Sequence, residues 1–156
     1  MDKIPPENIF RVSYTNRKGR AKTIPLFLSY VQAGFASPAE NYIERRLNLH
    51  DLCVQYPDAT YFVRVAGDSM IGAHILPGSI LVVDAVRPIK SGSIIVAWLN
   101  GECCVKYFVR TGRMITLHPA NPNYTPTFVH LDRDNLRVMG TVTYIVSKPE
   151  PYVQLD

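Results

Sequence analysis

From Thr60 onward the chain breaks into short apolar runs, each closed by residues that favour turns. The runs are Tyr61–Ala66, Ile80–Asp84, Ser93–Leu99, Cys103–Val109, Met114–Leu117 and Leu136–Val146. Between them lie Leu76-Pro77-Gly78, Arg87–Gly92, Asn100-Gly101, Thr111-Gly112 and Pro119–Pro126. Most of the runs are rich in Val, Ile, Thr and aromatic residues and too short for a stable helix, so they read as strands. Asn100-Gly101 is a strong hairpin signal, because both residues tolerate positive φ. Thr111-Gly112 marks a second hairpin. Strands of this length at this spacing predict a mostly β domain, either a sandwich or a coiled half-barrel.

The first part of the chain is different. Residues 1–22 are polar and basic without apolar periodicity, which predicts a flexible, extended N-terminal arm. An apolar patch follows, Ile24-Pro25-Leu26-Phe27-Leu28, and then Tyr30–Phe35. Ser37-Pro38-Ala39-Glu40 carries a helix-start pattern: Ser to cap, Pro at the first helical position, Glu at the third. It predicts a short helix to about Leu47, with Asn48 capping one more turn through Leu52. One or two short helices therefore accompany the sheet.

With 156 residues, 47% apolar and 19% charged, the chain can bury a core as one globular body. Its net charge of +4 is unevenly placed. Residues 1–33 hold six basic and two acidic side chains, and residues 34–156 hold eleven of each. The arm is basic and the body is neutral. Such an arm offers salt-sensitive, sequence-blind attraction to nucleic acid, and no aromatic-basic platform accompanies it, so no sequence-specific DNA binding is expected. No run reaches the roughly 18 apolar residues of a membrane span, and MDKIPPENIF lacks the apolar stretch of a secretory signal. Cys53, Cys103 and Cys104 read as reduced apolar fillers of a cytoplasmic protein. The four histidines (His50, His74, His118, His130) are scattered, and no metal or other cofactor is expected.

Two features invite chemistry. Gly67-Asp68-Ser69-Met70 follows directly on a predicted strand, so its turn presents a hydroxyl at a strand end. All of Gly, Asp and Ser are also ordinary turn formers. Lys106 lies within Cys103-Cys104-Val105-Lys106-Tyr107-Phe108-Val109, where period-2 alternation surrounds it with apolar neighbours. On an edge strand such a lysine snorkels to water. Buried, it loses proton affinity and becomes a usable general base near neutrality. If the fold joins them, Ser69 and Lys106 form a Ser-Lys dyad, with Ser69 as nucleophile and Lys106 as base.

These residues resemble the self-cleaving LexA/UmuD family of serine peptidases, peptidase family S24. Gly67-Asp68-Ser69-Met70 looks like the family's nucleophile motif and Val105-Lys106 like its general-base strand. Val31-Gln32-Ala33-Gly34-Phe35 resembles its cleavage site, Ala33-Gly34. Ser69 stands 35 positions after Gly34, and Lys106 stands 37 after Ser69, in agreement with the family order. Similarity runs over about residues 23–146. The departures are Ala at the position before the cut, an unusual residue run after Met70, a longer arm and the tail Pro149–Asp156.

The resemblance implies the family's coiled β-sheet fold and a division into an arm, 1–33, removed by self-cleavage, and a peptidase-like body, 34–156. Only 33 residues precede Gly34, too few and too polar for a helix-turn-helix domain, so the likeness is to the UmuD branch and not to the repressors. That branch implies a homodimer whose cleavage is promoted by a RecA filament on single-stranded DNA after DNA damage. Its product would serve as accessory subunit of an error-prone Y-family (UmuC-like) translesion polymerase. Thr23-Ile24-Pro25-Leu26-Phe27 resembles the arm segment held to touch the sliding clamp; simple packing on the body explains Ile24, Pro25, Leu26 and Phe27 equally well. Other readings are a dimeric binding module that does not cleave, a repressor-like regulator lacking its DNA-binding domain, and a Ser-Lys peptidase acting on other proteins.

Overall fold

The computed structural model describes residues 9–10, 24–27 and 43–150. Its strands are β1 (Ile9–Phe10), β2 (Ile24–Phe27), β3 (Ile43–Leu47), β4 (Thr60–Arg64), β5 (Ile80–Asp84), β6 (Ile94–Leu99), β7 (Glu102–Thr111), β8 (Met114–His118), β9 (Thr127–Val129) and β10 (Leu136–Val146), with one short helix, α1 (Leu49–Cys53). They fall into two compact units: β1 with β4 to β10, and β2, β3 and α1. No helix among the described residues is long and apolar enough to cross a membrane.

The larger unit is an eight-stranded antiparallel sheet in the order β1-β4-β5-β10-β6-β7-β8-β9. Its pivot is β10. The first half of that strand pairs with β6 (Leu136↔Leu99 to Thr141↔Ile95) and its second half with β5 (Thr141↔Asp84 to Val146↔Ile80). Register shifts between Val138 and Gly140 and between Val142 and Tyr144 bend the strand as it passes from one partner to the other. Gly140 sits at the crossing. A Cβ there would stand 2.8 Å from the Asp84 carbonyl oxygen and from Val83 Cγ1, so only glycine lets the backbones approach this closely.

The bent sheet buries apolar side chains on both faces. Alternation along β6 sends Val96 into one core, with Val63, Met70, Ile75, Leu81 and Val83, and Ile95 and Ala97 into another, with Phe108, Ile115, Leu117 and Val129. The Asn100-Gly101 hairpin forms as expected. Asn100 (φ 51°) and Gly101 (φ 88°) both take positive φ, and the pair Leu99↔Glu102 closes the turn. The second hairpin turns through Gly112 (φ 62°) and Arg113, closed by Thr111↔Met114.

Three findings differ from the sequence expectation. Ile43–Leu47, expected at the end of a helix begun at Ser37, is instead β3, paired antiparallel with β2 (Ile24↔Leu47, Phe27↔Ile43). A helix this short is marginal alone, and pairing with the apolar Ile24–Phe27 satisfies the same backbone groups. Thr127–Val129 adds an edge strand that three residues were too few to announce. Ile9 and Phe10, within the basic arm, pair with Val63 and Phe62 of β4. The expected turn at Asn48 is present: its side chain accepts from the His50 backbone N–H and caps α1.

Candidate active site

Past its last residue β4 stays tied to the start of β5 through Val65 N–H to Ser79 O (2.9 Å) and Gly78 N–H to Val65 O (2.8 Å). Gly67, at φ 82°, then turns the chain away, a conformation costly for any side chain with a Cβ. Asp68, Ser69 and Met70 follow, and a single 3₁₀ turn, Ile71–Ala73, ends the motif. Met70 is only 2% exposed and belongs to the core, so it pins the turn from below. Ser69 is left half-buried and Asp68 exposed.

Lys106 approaches from β7. Residues 102–106 of that strand pair with β6, whereas β8 joins only from Tyr107↔His118 onward. The lysine therefore stands where the far side of β7 has no strand partner among the described residues. Its side chain does not run out to water. Lys106 Nζ lies 2.7 Å from Ser69 Oγ and 3.1 Å from the Val105 carbonyl oxygen. Burial pushes the lysine below its ordinary pKa of 10.5, and the nearby Cys104 thiol opposes that shift. Burial pushes the Cys104 thiol up, partly offset by the Lys106 charge.

Between the two elements lies a cleft of about 200 Å³. Val63–Gly67, Ser69 and Met70 line one side, and Cys103–Lys106 the other. Tyr61 packs against the same core; burial pushes its phenol up, and its hydroxyl has no partner among the described residues. The arrangement can move a proton from a hydroxyl to an amine at hydrogen-bond distance, beside an open cleft. Among the described residues no three His, Cys, Asp or Glu side chains converge as a metal site would require.

Of the singled-out residues, Ser69 touches Lys106 here, Gly67 and Met70 line the same cleft, and Asp68 belongs to the turn without lining it. Ala33 and Gly34 lie outside the described residues. They fall in the connection between β2 and β3, whose antiparallel pairing brackets them in sequence. Ile24, Pro25, Leu26 and Phe27 form β2 itself.

Sequence reasoning missed a second layer, the loop between β8 and β9. Asn121 Nδ2 donates to the Asp68 carbonyl oxygen (3.0 Å), and Tyr124 Oη donates to Asp68 Oδ1 (2.5 Å). That bond to the carboxylate holds the Tyr124 phenol above its ordinary pKa. Asn121 is 5% exposed, and its own Oδ1 accepts from the Asn123 N–H (3.0 Å). The signal available in sequence was an asparagine set between two prolines, Pro119-Ala120-Asn121-Pro122, within a stretch that reads as plain loop.

Comparison with known proteins shows the family. The Peptidase S24-like family model matches residues 25–143. The chain is 39% identical to protein MucA of Salmonella typhimurium over 80% of this chain and 85% of MucA. It is 40% identical to protein SamA of the same species over 81% of this chain and 86% of SamA. The LexA repressor of Acidithiobacillus ferrooxidans is also 40% identical, over 76% of this chain but only 58% of the repressor. With these matches and a Gly-Asp-Ser-Met turn facing a strand lysine, the chain belongs to the S24-like peptidase family, the LexA/UmuD group of serine peptidases, as a UmuD-like member.

Proposed function

We propose that this chain cuts itself between Ala33 and Gly34 through Ser69 and Lys106. The observation that carries the reading is the 2.7 Å contact between Lys106 Nζ and Ser69 Oγ beside an open cleft. Lys106, lowered in proton affinity by burial, holds a larger neutral fraction near physiological pH than an exposed lysine would. The neutral amine takes the Ser69 proton as Oγ bonds to the Ala33 carbonyl carbon. Backbone N–H groups around Ser69 face the oxyanion. The tetrahedral species then collapses, the Ala33–Gly34 bond breaks, and Lys106 returns its proton to the departing Gly34 amine. Water, deprotonated by Lys106, hydrolyses the Ser69 ester. Small side chains at Ala33 and Gly34 let the backbone reach the nucleophile. Chain length permits it, since 35 residues extended span about 110 Å.

Cleavage on this reading divides the chain into an arm, 1–33, and a body, 34–156. The UmuD-like relationship supports a role in the SOS response to DNA damage. A RecA filament on single-stranded DNA favours the docked scissile segment by binding that conformer better than the undocked one. The body then serves, as a dimer, as accessory subunit of a Y-family translesion polymerase, with Ile24–Phe27 as a contact for the sliding clamp in the uncut form. The test is to incubate the chain at neutral pH with RecA filaments assembled on single-stranded DNA. A product whose N-terminal residue is Gly34, absent from Ser69→Ala, is the expected result; no filament-dependent product refutes the RecA role.

A further inference from the structure

We propose that the loop between β8 and β9 supports the oxyanion site by fixing the two peptide groups around Ser69, the second through the Ala120 N–H and the first with Asn121 and Tyr124 as positioning residues at Asp68. The proposal rests on the self-cleavage reading and assigns a task to a loop with no part in the proton transfers.

A trans peptide points its carbonyl and its N–H in opposite directions, so holding one aims the other. No peptide bond described here is cis. The Asp68 carbonyl accepts from buried Asn121 Nδ2 at 3.0 Å and, at the longer distance of 3.3 Å, from the Ile71 N–H of its own turn, and the Ser69 carbonyl accepts from the Ala120 N–H at 2.8 Å. Both carbonyls thus point at the loop. Their partner N–H groups, those of Ser69 and Met70, point away from it, and neither donates a hydrogen bond among the described residues. Two free donors flanking a nucleophile are what a developing oxyanion requires.

The loop is built to hold still. Prolines at 119, 122 and 126 fix φ at three places. Asn121 Oδ1 is engaged by the Asn123 N–H, which fixes which end of the amide faces Asp68. From the motif side, the Gly72 N–H donates to the Ala120 carbonyl at 2.7 Å. A Cβ on residue 72 would stand 2.5 Å from that same oxygen, so glycine there is a condition of the contact. Tyr124 completes the lock from the solvent side through the Asp68 carboxylate.

The experiment compares self-cleavage of the full chain, Asn121→Ser and Tyr124→Phe across alkaline pH, with thermal melts of each. Outright loss of an oxyanion donor costs about 10²–10³ in rate, and loss of its support should cost less. We expect the plateau rate to fall about tenfold in Asn121→Ser and severalfold in Tyr124→Phe. The pH midpoint should stay at the wild-type value, because Lys106 keeps its surroundings. A plateau equal to wild type, or a midpoint that moves, overturns the proposal. If Asn121→Ser fails to fold, Tyr124→Phe decides alone, since that side chain is 45% exposed and its ring is retained. Wild type that stays as uncut as Ser69→Ala removes the self-cleavage reading and this proposal with it, an outcome distinct from cleavage indifferent to both substitutions.

Discussion

A lysine amine held 2.7 Å from a serine hydroxyl and away from full solvation costs stability while it carries its charge. Its lowered folded pKa means that the folded chain binds fewer protons than the unfolded chain between that value and 10.5. Stability therefore rises with pH across that window, and the penalty is complete below it. Lys106→Met should raise the melting temperature near neutral pH, with an advantage that shrinks as pH climbs and vanishes only above 10.5; melts across the pH range check this. Lys106→Arg keeps the charge but cannot surrender a proton, so its cleavage rate should fall by about 10²–10⁴ at every pH, read by gel densitometry.

At the scale of elements, the central joint is β10, shared between β5 and β6 at Thr141. Gly140→Ala forces a methyl group against the Asp84 carbonyl and Val83 and should cost about 1–3 kcal/mol, measurable by urea unfolding. This joint was not legible in sequence, because it depends on three strands distant along the chain. The hairpin at Asn100-Gly101 was legible, because two residues with positive φ write their turn locally. Ser69 and Lys106 were legible as chemistry-bearing residues in suggestive surroundings. That they touch depends on where β8 stops pairing with β7, which no residue between 102 and 107 declares. Asn121 and Tyr124 stayed hidden for a related reason: they bond to Asp68, one at its carbonyl and one at its carboxylate, in a turn more than fifty positions away. The helix start at Ser37-Pro38 misled over Ile43–Leu47, where pairing with β2 prevailed over a local pattern.

For the whole molecule, the charge division at residue 33 and the proposed cut coincide. The arm carries the entire formal excess of +4, and the body balances eleven against eleven. The full chain should be retained on single-stranded DNA resin at low salt and released by about 0.2 M salt, while residues 34–156 should pass through. The arm also supplies β1, which covers the outer edge of β4 at Phe62 and Val63. Its removal makes β4 the edge of the sheet, so amide exchange at these two residues should quicken in the product. All of this turns on whether the chain cuts itself unaided once Lys106 is neutral, and intact mass after alkaline incubation of the purified protein measures that. Fragments of 33 and 123 residues, forming faster as pH rises and absent from Ser69→Ala, are the predicted result. Wild type left as whole as Ser69→Ala, or cut at another bond, would contradict it.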